Sequence, residues 1–90
     1  SNFVDLFVVH CSDNLFKLFP EDEDSKIADA ILELFRKRNH LMFFNKKALY
    51  IYIREMVNVK TPRITSISDR LEVIFKKSYI NYIEHGYIKF

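Results

Sequence analysis

The sequence predicts a mainly α-helical domain with a small β component: a core of three helices accompanied by short strands. Three observations predict it. One Gly and two Pro in ninety residues leave little material for tight hairpins. Apolar residues recur at three- and four-residue spacing in Ile27, Ala30, Ile31, Leu34 and Phe35, and again in Ile64, Ile67, Leu71, Ile74 and Phe75, which is the spacing of helix faces. Short β-branched or aromatic runs at 3–10, 41–44 and 87–90 read as strands. Ninety residues suit a single hydrophobic core, and a chain 49% apolar and 29% charged is not disordered.

The run at 3–10 reads as a strand or an apolar arm, so residues 1–20 are set apart as an N-terminal arm from a helical domain at 21–90. Cys11-Ser12-Asp13-Asn14 follows as a turn, because Ser, Asp and Asn bond their own backbone. A brief apolar stretch at 15–19, a helical turn or strand, closes at Pro20. The acids Glu21, Asp22, Glu23 and Asp24 precede a helix over 25–38, capped by Asp24 or Ser25, and sit at its positive dipole end. Arg36, Lys37 and Arg38 load the opposite end. After the buried strand at 41–44, Asn45 caps a second helix over 46–57, with Leu49, Ile53, Met56 and Val57 buried. Asn58 ends it in the left-handed conformation. Thr61 then caps a third helix with Pro62 at its first position. The buried face of that helix continues through Tyr79, Tyr82 and Ile83 to Gly86, unbroken or bent near Ser78.

The net charge of +2 hides a split. Residues 1–35 carry a balance of −6 and residues 36–77 a balance of +8. A basic block of this density suits a surface that meets phosphate, and suits equally a merely solubilising face. Cys11 is alone, so neither a disulfide framework nor a thiol-rich metal site is available. A buried thiol in a reducing, cytoplasmic setting is expected. The start Ser1-Asn2-Phe3-Val4-Asp5 lacks the bases of a signal peptide, and Ser1-Asn2 looks like the remnant of a cleaved tag. No stretch reaches the roughly 18–20 apolar residues of a membrane span. His10 beside Cys11 lacks a fixed acid, and Glu21 to Asp24 lack calcium-loop spacing. His40 and His85 are read as caps of helix ends. The only Gly, Gly86, excludes a phosphate-binding glycine loop. No enzyme activity, cofactor or metal is therefore expected.

The stretch from Ile53 to Leu71 resembles the helix-turn-helix of bacterial and phage transcription regulators. Asn58 stands where that family places a turn Gly, Val59 where a turn aliphatic packs, and Ile64, Ile67 and Leu71 where the recognition helix is anchored. The order helix, strand, helix, turn, helix, strand over residues 25–90 is similar to the winged-helix variant. Tyr82-Ile83-Glu84-His85-Gly86-Tyr87-Ile88 resembles the ending that leads such domains into their wing.

The resemblance implies sequence-specific binding of double-stranded DNA in transcription regulation, through a recognition helix starting near Thr61. Arg63 is the candidate for a guanine edge, and Lys60 and Thr61 for phosphate. Thr65 and Ser66 would reach bases, Arg70 the opposing backbone, and Lys46 and Lys47 the phosphates crossed by the second helix. It also implies a homodimer, whose surface would be Phe3, Phe7, Phe16 and Phe19 where the core does not consume them. The alternative is a protein-interaction or assembly module on the same scaffold, marked by an exposed patch of Tyr50, Tyr52, Phe75 and Tyr79.

Overall fold

The computed structural model describes residues 2–88, and at His40 the backbone alone. Along the described chain run α1 (Phe3–Asp13), α2 (Leu15–Leu18), α3 (Asp22–Arg36), a 3₁₀ helix (His40–Phe44), α4 (Lys46–Met56) and α5 (Thr61–His85). None of the described residues lies in a strand. The small β component and the winged-helix-like arrangement are therefore corrected: the architecture is all-α.

Each misread strand has a physical reason. At 3–10 the residues that become buried are Phe3, Phe7, Val8 and Cys11, spaced by four, one and three as on a helix face. Asn2 caps this helix by accepting from the Asp5 amide at 3.0 Å. Burial of a phenyl ring outweighs the few tenths of a kcal/mol by which Val disfavours a helix, about 1.5–3 kcal/mol per ring. The predicted turn at 11–14 is thus helical up to Asp13, and the chain turns at Asn14. At 41–44 no neighbouring strand offers a ladder, so the backbone closes on itself. The Met42 amide donates to the Asn39 carbonyl at 3.2 Å and the Asn45 amide to that of Met42 at 3.1 Å. Tyr87 and Ile88 are not in a strand, and Lys89 and Phe90 lie outside the described residues. The side chain of His40, expected to cap a helix end, does so too.

The three predicted helices are present with shifted ends. α3 starts at Asp22, after Glu21 in extended backbone, and the Ser25 hydroxyl donates to the Asp22 carbonyl at 2.9 Å instead of capping. α4 is capped by Asn45, whose side chain accepts from the Ala48 amide. It ends at Met56 with Val57 in extended backbone. Among the described non-glycine residues, Arg38, not Asn58, takes positive φ. α5 starts after Lys60 with Pro62 in its first turn, runs unbroken past Ser78 and closes at Gly86 in left-handed backbone (φ 77).

α3 is the central element. Ile27, Ala28, Ala30, Ile31, Leu32, Leu34 and Phe35 are all buried, because α1, α2, the 3₁₀ helix, α4 and α5 surround it. One contiguous core results, and α1 belongs to it through Phe3, Phe7, Val8 and Cys11. Phe75 of α5 ties the pieces together, with ring centroids 5.2 Å from Phe3, 5.0 Å from Phe7, 6.0 Å from Phe35 and 6.3 Å from Phe44. α5 has 25 residues and so spans about 37 Å, the full 38 Å length of the molecule. Its first half buries Ile64, Ile67, Ser68 and Leu71, whereas its second half fully buries only Ser78.

Candidate nucleic-acid interface

α4 and α5 are joined by the four residues Val57, Asn58, Val59 and Lys60, so the helix–turn–helix connection exists. Ile64, Ile67 and Leu71 anchor α5 in the core, and Val59 packs against it. The exposed side of this unit decides what it can bind.

Arg63, the residue expected to read a base, is turned onto the acidic start of α3. Its Nη2 lies 2.6 Å from Glu21 Oε2, and its Nε lies 2.9 Å from Asp24 Oδ1 and 3.2 Å from Glu23 Oε1. The hydrogen bond to Glu21 chiefly raises its pKa above the ordinary guanidinium value, with Asp24 and Glu23 adding to it. The acid run thus does more than complement a helix dipole: α3 delivers it to the N-terminus of α5. Carboxylates there oppose the approach of phosphate.

Arg70 follows the same pattern. Its Nη2 donates to the Leu18 carbonyl at 2.7 Å, its Nη1 lies 3.9 Å from Asp24, and its guanidinium covers the Phe19 ring at 4.5 Å. It fastens α2 to α5. Lys46 reaches across to α5, donating to Ser68 Oγ at 2.7 Å, with Asp69 at 3.6 Å and Glu72 at 3.8 Å. The Thr65 hydroxyl lies 2.9 Å from Tyr50 Oη and 3.1 Å from the Thr61 carbonyl, and Thr61 itself is half-buried. Lys47, Lys60 and Ser66 alone of the predicted set are exposed with side chains that have no partner among the described residues. The structure therefore does not gather Lys46, Lys47, Lys60, Arg63 and Arg70 into one free basic face.

The aromatic expectations also change. Phe3, Phe7 and Phe19 are buried in the core and cannot form a dimer surface, while Phe16 is exposed. Tyr50, Tyr52 and Phe75 are half-buried, and of that predicted patch only Tyr79 is exposed. Apart from scattered exposed residues such as Phe16 and Leu41, an apolar group lies on the second half of α5, where Val73 (52%), Tyr79 (47%), Ile80 (56%) and Ile83 (63%) face solvent. Ile83 was expected in the core. The signal was in the sequence: Val73, Ile80 and Ile83 form a second stripe at seven- and three-residue spacing, one step round the helix from Leu71, Phe75 and Tyr82. An apolar cleft of about 540 Å³ lined by Asn2, Phe3, Val4, Phe75 and Tyr79 borders this stripe.

Cys11 is fully buried, and burial pushes its thiol up to about 12, so it remains protonated and unreactive in the folded chain. Among the described residues no group of three or more His, Cys, Asp or Glu side chains could hold a metal ion. No described helix is long and apolar enough to cross a membrane. No protein-family model, curated protein or solved structure matches this chain.

Proposed function

We propose that this domain is a protein-interaction or assembly module that presents the second half of α5 to its partner. One observation carries this reading: four large apolar side chains, Val73, Tyr79, Ile80 and Ile83, are about half exposed or more along the second half of one helix. A single exposed aliphatic residue is ordinary, but a contiguous group of them beside an apolar cleft is the composition of a contact surface. The intramolecular pairing of Arg63, Arg70 and Lys46 weighs the same way, since it leaves little basic charge free at the start of α5.

Double-stranded DNA is the second reading, favoured by the four-residue connection between α4 and α5 and by the exposed Lys47, Lys60 and Ser66. One experiment separates the two. A photo-crosslinking residue is placed at position 80, or at positions 47 and 60, in the chain expressed in its native cells. The interaction module predicts protein adducts from position 80 and no nucleic-acid adducts from 47 or 60. Adducts to DNA from 47 and 60, with none from 80, would overturn it. Fluorescence anisotropy on mixed duplex DNA at about 50 and 200 mM salt supplies the matching equilibrium test, because phosphate contacts weaken steeply over that range.

A further inference from the structure

The chemistry of the α5 stripe identifies an occupant, and the identification rests on the interaction reading above. Val73, Lys76, Ile80 and Ile83 fall on one helix face at spacings of three, four and three, the pattern of a short helix–helix seam. Lys76 lies within this stripe, but Glu72 holds its ammonium at 3.4 Å, so its stem adds apolar surface. Two charges edge the stripe on one side: Lys77, one turn before Ile80, and Glu84, one turn after it. Lys77 is exposed, and its ammonium has no partner among the described residues. Glu84 is exposed and touches only the neighbouring His85, at 3.6 Å.

The arrangement is self-complementary in one orientation only. When two such helices run antiparallel about an axis between Ile80 and Ile83, Ile80 of each copy meets Ile83 of the other. Lys77 of each copy then lies on the same edge of the seam as Glu84 of the other, staggered by about 3 Å along the axis and within reach of a lysine side chain. Parallel alignment instead carries Lys77 and Glu84 of the two copies to opposite edges of the seam, so the two charges do not meet across it. A two-fold axis requires a surface to match itself, and this one does.

We propose that the second half of α5 pairs antiparallel with that of a second copy of this chain, forming a two-fold homodimer sealed by Ile80 and Ile83 and oriented by Lys77 and Glu84. The cleft bordered by Tyr79 receives the flank of the opposing helix. Because α5 closes at His85, the two helices overlap over residues 78–85, about 12 Å of helix, which buries less than the roughly 800 Å² per partner of a standard interface, so the dimer is a weak, micromolar one.

Analytical ultracentrifugation of the whole chain from about 5 to 500 µM tests this. The expected result is a concentration-dependent rise from 10.8 kDa toward twice that mass. Ile80→Asp abolishes the rise, Lys77→Glu weakens association about five-fold, and Lys77→Glu combined with Glu84→Lys restores it. All these positions are exposed, so the variants keep the fold, which circular dichroism verifies. A chain that stays monomeric throughout, or a charge-swapped double variant no better than Lys77→Glu, overturns the proposal. Failure of the wider reading is distinguishable. A monomer whose position-80 crosslink captures a different protein refutes the homodimer alone, whereas absence of any adduct refutes both.

Discussion

Arg38 shows how one residue reconciles two demands. It occupies left-handed backbone (φ 60) just after α3, where Gly is the usual choice. The amides of Arg38 and Asn39 donate back to the Phe35 and Leu34 carbonyls at 3.1 and 2.8 Å, so the reversal satisfies the helix end. The side chain repays the strained backbone by reaching α1, with Nη1 2.6 Å from Asp5 Oδ1. That hydrogen bond holds the Asp5 carboxyl below its ordinary value. A group whose pKa is lowered by folding stabilises the fold above its unfolded pKa, and that contribution is lost as pH falls through the folded value. Asp5→Asn should therefore be less stable than the parent near pH 7, with a narrower gap near pH 3, below the ordinary carboxylate value. Urea midpoints at the two pH values check it, and an unchanged gap would show that the ion pair contributes nothing.

At the scale of elements, what could be read from the sequence followed signal strength. α3, α4 and α5 were legible because their apolar residues recur at helical spacing and Asn45 and Pro62 mark two of their starts. α1 was not, because three Val residues among eight suggest a strand when composition is weighed before spacing. The candidate site was less legible still. The residue types of a recognition helix were present, but nothing in the local sequence said that α3 would bring Glu21, Glu23 and Asp24 within reach of Arg63, 39 or more positions away. Long-range charge pairing is a product of topology, not of spacing along one helix. α5 also carries an unresolved cost. Ser78 is completely buried, and its hydroxyl has no hydrogen-bond partner. A buried hydroxyl without a partner forfeits its hydration, and Ala is the better helix former. Ser78→Ala is expected to raise stability by about 0.5–1.5 kcal/mol. Denaturant unfolding measures this, and a loss of stability would mean that the hydroxyl is satisfied in solution.

Across the whole molecule, the arrangement turns on whether residues 1–20 act as an appended arm or as part of the core. The aromatic contacts favour the core. Phe75 sits edge-on to Phe3 and Phe7 of α1, also meets Phe35 of α3 and Phe44 of the 3₁₀ helix, and so joins elements from both ends of the chain. Removing its ring forfeits contacts with all of them at once. Phe75→Ala should cost about 3 kcal/mol, a large share of the roughly 5–15 kcal/mol that holds a domain of this size together. The distribution of that loss is more telling than its size. If α1 is integral, amide hydrogen exchange in α1 and α3 should accelerate together in Phe75→Ala, since one cooperative unit opens as a whole. If α1 were an arm, its amides would already exchange far faster than those of α3 in the parent chain, and Phe75→Ala would leave α3 protected. Joint acceleration would also explain why the second half of α5 stays ordered while showing so much apolar surface: its inner face is held by the same ring cluster that holds α1, which leaves the outer stripe free to meet a partner.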